Sequence, residues 1–155
     1  MNGKKMKEKK VEEKINHSLR NVKRYLGSFN VHDLNEIKID DIPLFVIINI
    51  LSNKKIEPYY ISIAIYSDEI YICDSKGYLI QCERLPQLLI NYLNLIFSNR
   101  EIHITRQLQN STANLSAAYS IFFVKEMNRF NSFRHFLSYF TGDKNTNDQI
   151  ISFLY

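Results

Sequence analysis

A chain of 155 residues carrying a formal charge of +4 is long enough for one domain that buries roughly 70% of its unfolded surface. With 45% hydrophobic and 23% charged residues, no internal repeat and no low-complexity linker, it has the makeup of an ordinary globular protein. Two cysteines, Cys73 and Cys82, exclude a disulfide framework and fit a reducing compartment, and His17, His32, His103 and His135 lack metal-ligand spacing, so neither a metal nor a cofactor is expected.

The basic excess is concentrated in "GKKMKEKK" (3–10). Residues 1–20 therefore read as a charged leader, partly helical or disordered, with no convincing core face over 1–14, and residues 21–155 as the folded domain. Such a run is a solvated tail or a contact for DNA or an acidic protein surface. The start has no apolar signal core, so secretion by that route is not expected. "IPLFVIINIL" (42–51) has the β-branched content of a buried strand and is far too short to span a bilayer. No membrane partner is expected. "YYISIAIYS" (59–67) alternates, with Tyr59, Ile61, Ile63 and Ile65 on one face and Tyr60, Ser62, Ala64 and Tyr66 on the other. Ser67-Asp68 supplies a turn, "EIYIC" (69–73) a second strand, and Asp74-Ser75-Lys76-Gly77 a closing turn.

"LPQLLINYLNLIFSN" (85–99) predicts a helix whose inner face holds Leu85, Leu88, Leu89, Tyr92, Leu95 and Ile96. "EIHIT" (101–105) alternates as another strand. "SAAYSIFFVKEM" (116–127) is apolar over most of its surface, which predicts a central buried helix with Ser116 as its cap. "FNSFRHFLSYF" (130–140) is amphipathic, with Phe130, Phe133, Phe136, Leu137 and Phe140 turned to the core. "NDQIISFLY" (147–155) closes the chain as a short helix capped by Thr146 or Asn147. Strands gathered in the middle with helices around them predict an α+β fold, a mixed central sheet flanked by helices.

Six segments in order resemble the adenovirus-type (adenain-like) cysteine proteases, relatives of the proteases that act on ubiquitin-like modifiers. They are "YLGSFNVHDL" (25–34), "PLFVIINI" (43–50), "EPYYISIAI" (57–65), "YICDSKGY" (71–78), "QLQNSTANLSAAYSIFF" (107–123) and "NTNDQIISFL" (145–154). The resemblance implies an adenain-like fold. It sets Tyr59 and Tyr60 where the family has His-Trp, Asp74 where it has the acid that orients the His, and Ala117 and Ala118 where it has Cys-Gly. Gln109 matches the Gln of the oxyanion hole, with Gln107 as the alternative.

The chemistry of that plan needs a thiolate at a helix N-terminus, a His to accept its proton, an acid to orient the His, and amide donors for the oxyanion. An Ala methyl has no lone pair and no ionisable proton. The resemblance thus implies a catalytically inactive homologue with degenerate positions Tyr59, Asp74, Gln109 and Ala117. It would be a virus-encoded binding or structural component in virion assembly, taking a viral or host protein as partner and working in the host cytoplasm, the nucleus or the virion. The alternative is an active hydrolase with a relocated nucleophile, Ser116 served by His103 or His135, or one of the two cysteines. A generic α+β interaction module is the third reading. Tyr59 and Tyr60 themselves are strand packing, or aromatic bulk that partly fills the old cleft or binds a partner peptide there.

Overall fold

The computed structural model describes residues 2–50, 58–81 and 87–155. Leu51, Cys82 and Leu85 lie outside the described residues. Two β-branched strands, β2 (Leu44–Asn49) and β3 (Tyr60–Ile65), are buried along their whole length because helices cover both faces of the sheet they centre. With β1 (Tyr25–Asn30), β4 (Glu69–Cys73) and β5 (Glu101–Ile104) they form one mixed sheet in the order β1-β2-β3-β4-β5. The inner pairs are antiparallel and the two outer pairs parallel. The class is α+β, a mixed five-stranded sheet flanked by helices.

The alternation of β3 divides the core. Tyr59, Ile61, Ile63 and Ile65 join one apolar cluster with α3 (Gln87–Phe97) and a 3-10 turn at Val31–Glu36. Tyr60 and Ala64 join the other with α4 (Ser116–Phe130), α5 (Phe133–Ser138) and α6 (Lys144–Leu154). A short helix, α2 (Tyr78–Gln81), follows the turn after β4. Small side chains on that face of β3, Ser62 and Ala64, let α4 lie close against it.

The leader read over 1–20 as partly helical or disordered forms a helix, and the second half of that helix joins the core. In α1 (Asn2–Leu19), Val11, Ile15 and Leu19 recur every four residues, and Ile15 and Leu19 are fully buried against α4. Burying one such side chain contributes about 1.5–3 kcal/mol. The stripe is concealed because charged and polar residues such as Lys10, Glu12, Glu13, Lys14, Asn16 and His17 fill the positions around it in the sequence. Among the described residues, no helix is long and apolar enough to cross a membrane.

Other differences are local. The buried face of α3 is Leu89, Tyr92, Leu93 and Ile96, whereas Leu88 and Leu95 are exposed. The i, i+3, i+4, i+7 pattern fits the observed four better than the wider arc that takes in 88 and 95. In the C-terminal aromatic stripe, Phe136 and Phe140 are buried but Phe130, the last residue of α4, is exposed. That helix stops at Asn131 in the left-handed region (φ +48°), whose N–H donates to Met127 O at 2.8 Å. The cap of α6 is Asp143, which accepts from Asn145 N (3.0 Å) and the Thr146 hydroxyl (2.8 Å), so the helix starts earlier than the apolar run suggests.

Candidate functional site

The candidate site lies at the end of the sheet where β3 begins and β4 ends. The Tyr59 hydroxyl donates a short hydrogen bond to Asp74 Oδ1 and accepts one from Lys76 N at 3.0 Å. Asp74 is fully buried, and its Oδ2 accepts from Leu79 N at 2.6 Å. Its backbone is fixed too, because Asp74 N donates to Thr105 Oγ1 (2.9 Å) and the Thr105 hydroxyl returns a bond to Asp74 O (3.2 Å). Gly77 closes the turn by donating to Asp74 O at 2.9 Å. Its φ of +71° suits glycine, and a Cβ there would stand 3.3 Å from Gln107 Cβ.

Burial pushes the Asp74 carboxyl group above its ordinary value, opposed by the bonds from Tyr59 and from the backbone N–H groups of Leu79, Tyr78 and Gly77. Tyr59 is driven far above the usual phenol range, first by burial and then by the adjacent Asp74 charge and the bond to it. The Tyr59 ring also packs on Tyr78, with centroids 4.7 Å apart, and Lys76 Nζ lies 5.8 Å from its centre. With its pKa raised in this way, Tyr59 is a neutral hydrogen-bonding phenol near neutral pH and cannot serve as a base there.

On the other side of the sheet, the start of α4 grips the first residue of β3. Tyr60 N donates to Ser116 Oγ (3.1 Å) and the Ser120 hydroxyl donates to Tyr60 O (3.4 Å). These two serines, one helical turn apart, clasp a single residue's backbone groups. Ser116 is not the helix cap; Leu115 holds that position without a side-chain bond. Ala117, the next residue, packs with Ala118 against the α4 cluster, beside Val11, Lys14 and Ile15 of α1 and Tyr155. Together these line a half-enclosed groove of about 190 Å³. Tyr59 and Asp74 are thus in direct contact, while Ala117 sits on the opposite face of the same sheet end, covered in part by α1.

The two glutamines are both engaged. Gln109 is fully buried, accepting from the Ser75 hydroxyl at 2.5 Å and donating to Ala113 O at 2.8 Å. Gln107 Nε2 donates to Gln109 O at 3.1 Å. Backbone bonds from Leu108 N and Gln109 N to Ser75 O tie this loop to the turn that holds Asp74.

Asn147 and Asp148, which the sequence marks as part of a helix start and of the last segment that carries the resemblance, clamp the same loop. Asn147 is fully buried and donates to Leu108 O and Thr141 O, both at 3.0 Å. Asp148 accepts from Asn110 N (3.0 Å) and from the Tyr119 hydroxyl (2.8 Å). An Asn-Asp pair beside an apolar helix face was the available signal.

Of the alternative nucleophiles, Ser116 and Cys73 are both buried, and Cys82 lies outside the described residues. Ser116 is buried with its oxygen on Tyr60 N. Cys73 is a buried free thiol pushed up by burial and by Asp74, only partly opposed by Ser62. His103 lies between Glu69 and Glu101, and His135 beside Tyr139 and Glu126. No protein-family model matches this chain, and no curated protein matches it either.

Proposed function

We propose that this chain is a catalytically inactive homologue of the adenovirus-type cysteine proteases, with an adenain-like fold, that works by binding rather than cutting. Its role on this reading is that of a virus-encoded structural or binding component in virion assembly, with a viral or host protein as partner in the host cytoplasm, the nucleus or the virion. The observation that carries the proposal is the bond between Tyr59 and Asp74 at the sheet end. An acid held there by a side chain at the start of the neighbouring strand matches one pair of the arrangement the resemblance calls for, with a phenol in place of the imidazole, whereas Ala117 joins the cluster on the other face.

The chemistry at the other carried-over positions supports the inactive form. Ala117 offers no nucleophile, and the Gln109 amide already donates to Ala113 O. In a serine protease, removing nucleophile or base alone costs about a millionfold in turnover. Order in the rest of the site gives a reason for the scaffold to persist: Asn147, Asp148, Ser75 and Thr105 keep the loop and turn in place without any reaction to serve.

The deciding experiment is incubation of the purified chain with Gly-X-Gly and Gly-Gly peptides, read both for cleavage and for binding by NMR. Saturable shifts of the Ala117 and Ala118 methyl signals without product are expected. Turnover abolished by a thiol alkylating agent, or labelling of Ser116 by a fluorophosphonate, would overturn the proposal.

A further inference from the structure

Parallel pairing of β4 with β5 sets Glu69 directly beside Glu101 and Tyr71 beside His103. Alternation along each strand then turns Glu69, Glu101 and His103 to the same face. His103 Nε2 stands 3.6 Å from Glu69 Oε1 and 3.7 Å from Glu101 Oε1. That nitrogen has almost no accessible surface and no hydrogen-bond partner. The three ligand atoms lie within 4.8 Å of one another, the one such group of His, Cys, Asp and Glu found among the described residues.

Two carboxylates side by side on neighbouring strands repel, and the His103 imidazole nitrogen is turned to both of them without a hydrogen bond. Ligands on a single ion at about 2.1 Å each stand roughly 3 to 4 Å apart, which is the spacing seen from the imidazole to each carboxylate. We propose that Glu69, Glu101 and His103 bind a divalent transition-metal ion, with Zn²⁺ the best match to one nitrogen and two oxygen donors.

Neighbouring side chains hold the ligands in place. The Tyr71 hydroxyl donates to Glu69 Oε2 at 2.6 Å, leaving Oε1 for the ion. The Tyr71 ring stacks on the His103 ring with centroids 4.9 Å apart and planes 19° from parallel. A partner that fixes a ligand's orientation typically matters tenfold or more to affinity. Glu101 is the most exposed of the three, which gives the ion a way in and leaves room for water as a further ligand. The ion would staple β5, an edge strand of four residues, to β4. Thr105, which bonds the Asp74 backbone, immediately follows that strand.

No spacing rule finds this site, because it needs the register of two strands far apart in the chain. The test uses the untagged full-length protein, stripped with a chelator and then freed of it, titrated with ZnCl₂ by calorimetry and with Co²⁺ by visible absorption. One equivalent should bind, with a Co²⁺ ligand-field band and a rise in Tm on saturation. Glu101→Gln and His103→Gln should each weaken binding at least about tenfold, whereas His135→Gln should bind as the unaltered chain does. Ring ¹⁵N spectra of the unaltered protein supply a check that needs no variant: the His103 Nε2 signal should move on adding Zn²⁺. Absence of saturable binding up to about 1 mM, wild-type affinity in His103→Gln, or ring shifts confined to His17, His32 or His135 would overturn the proposal.

Discussion

The Tyr59 hydroxyl donates to the buried Asp74 carboxyl group across the ends of β3 and β4, and it also accepts from Lys76 N. A phenol in this place does for Asp74 what solvent cannot, since the group is fully buried. Replacing Tyr59 by Phe should leave Asp74 Oδ1 and Lys76 N short of a partner and cost about 1–3 kcal/mol in denaturant unfolding.

The pH dependence of that variant follows from the sign of the Asp74 shift. Its folded pKa lies above the ordinary 3.8, so the folded state holds the proton more tightly than the unfolded state does. The contribution of Asp74 to stability is therefore complete below about 3.8 and is lost as pH rises through the folded pKa. Tyr59→Phe removes a bond that favours the ionised form, so the loss should extend to higher pH. Carboxyl NMR titration measures the shift directly. An Asp74 titration that does not move in the variant would contradict this account.

Restoring the nucleophile alone should not restore chemistry. Ala117→Cys places a thiol at the first turn of α4, where the helix N-terminus favours the thiolate. Its proton has nowhere useful to go, because Tyr59 is held far above the ordinary phenol range and lies on the other face of the sheet end. Alkylation of the new thiol by iodoacetamide should be measurable, with no hydrolysis of a Gly-Gly peptide. The triple change Tyr59→His, Ala117→Cys, Ala118→Gly should remain at least about a thousandfold below a working protease, since alignment errors near 1 Å cost about a hundredfold and Gln109 still points to Ala113 O. Robust turnover from Ala117→Cys alone would show that another group acts as the base.

What the sequence discloses and what it hides divide along a physical line. The faces of β3 are legible because a period of two over Tyr59 to Ile65 admits only one assignment. The turn at Asp74 and the buried character of α4 are legible for similar local reasons. Long-range roles are not. Ser116 looks like a cap because Ser commonly caps, and nothing nearby announces that its partner is Tyr60 N, 56 positions away. Asn147 likewise looks like a helix start, whereas its amide holds a loop 39 positions earlier in the chain. In α1 the obstacle is composition: three apolar residues at intervals of four are easily lost among lysines and glutamates.

The burial of α1 gives the clearest stability test. Ile15→Ala and Leu19→Ala each remove a fully buried side chain at the α1–α4 contact and should cost about 2–5 kcal/mol. Leu95→Ala, at a position 72% exposed on α3, should fall within about 0.5 kcal/mol of the unaltered protein. Thermal or denaturant unfolding distinguishes them. Equal tolerance of all three would mean that α1 contributes nothing to the folded core.

The same packing changes how DNA binding by the basic segment must be tested. Lys4, Lys5, Lys7, Lys9 and Lys10 lie on the first half of α1, ahead of Val11, which packs on the core. Removing residues 1–14 would take Val11 and leave Ile15 at a frayed end, so lost binding would be confounded with lost stability. Removing residues 1–10 separates the two, because Val11, Ile15 and Leu19 all remain. If the five lysines contact phosphates, affinity for duplex DNA should be independent of sequence. It should also fall roughly 500-fold between about 50 and about 200 mM salt, through release of condensed counterions. The shortened chain should lose that binding and keep the Tm of the full chain within a few degrees. Equal binding by both forms would exclude the segment as the DNA contact and move the search to Lys and Arg elsewhere on the domain. A shallow salt slope in the full chain would argue that fewer than five charges meet the backbone, because each neutralised phosphate adds about 0.9 to the slope.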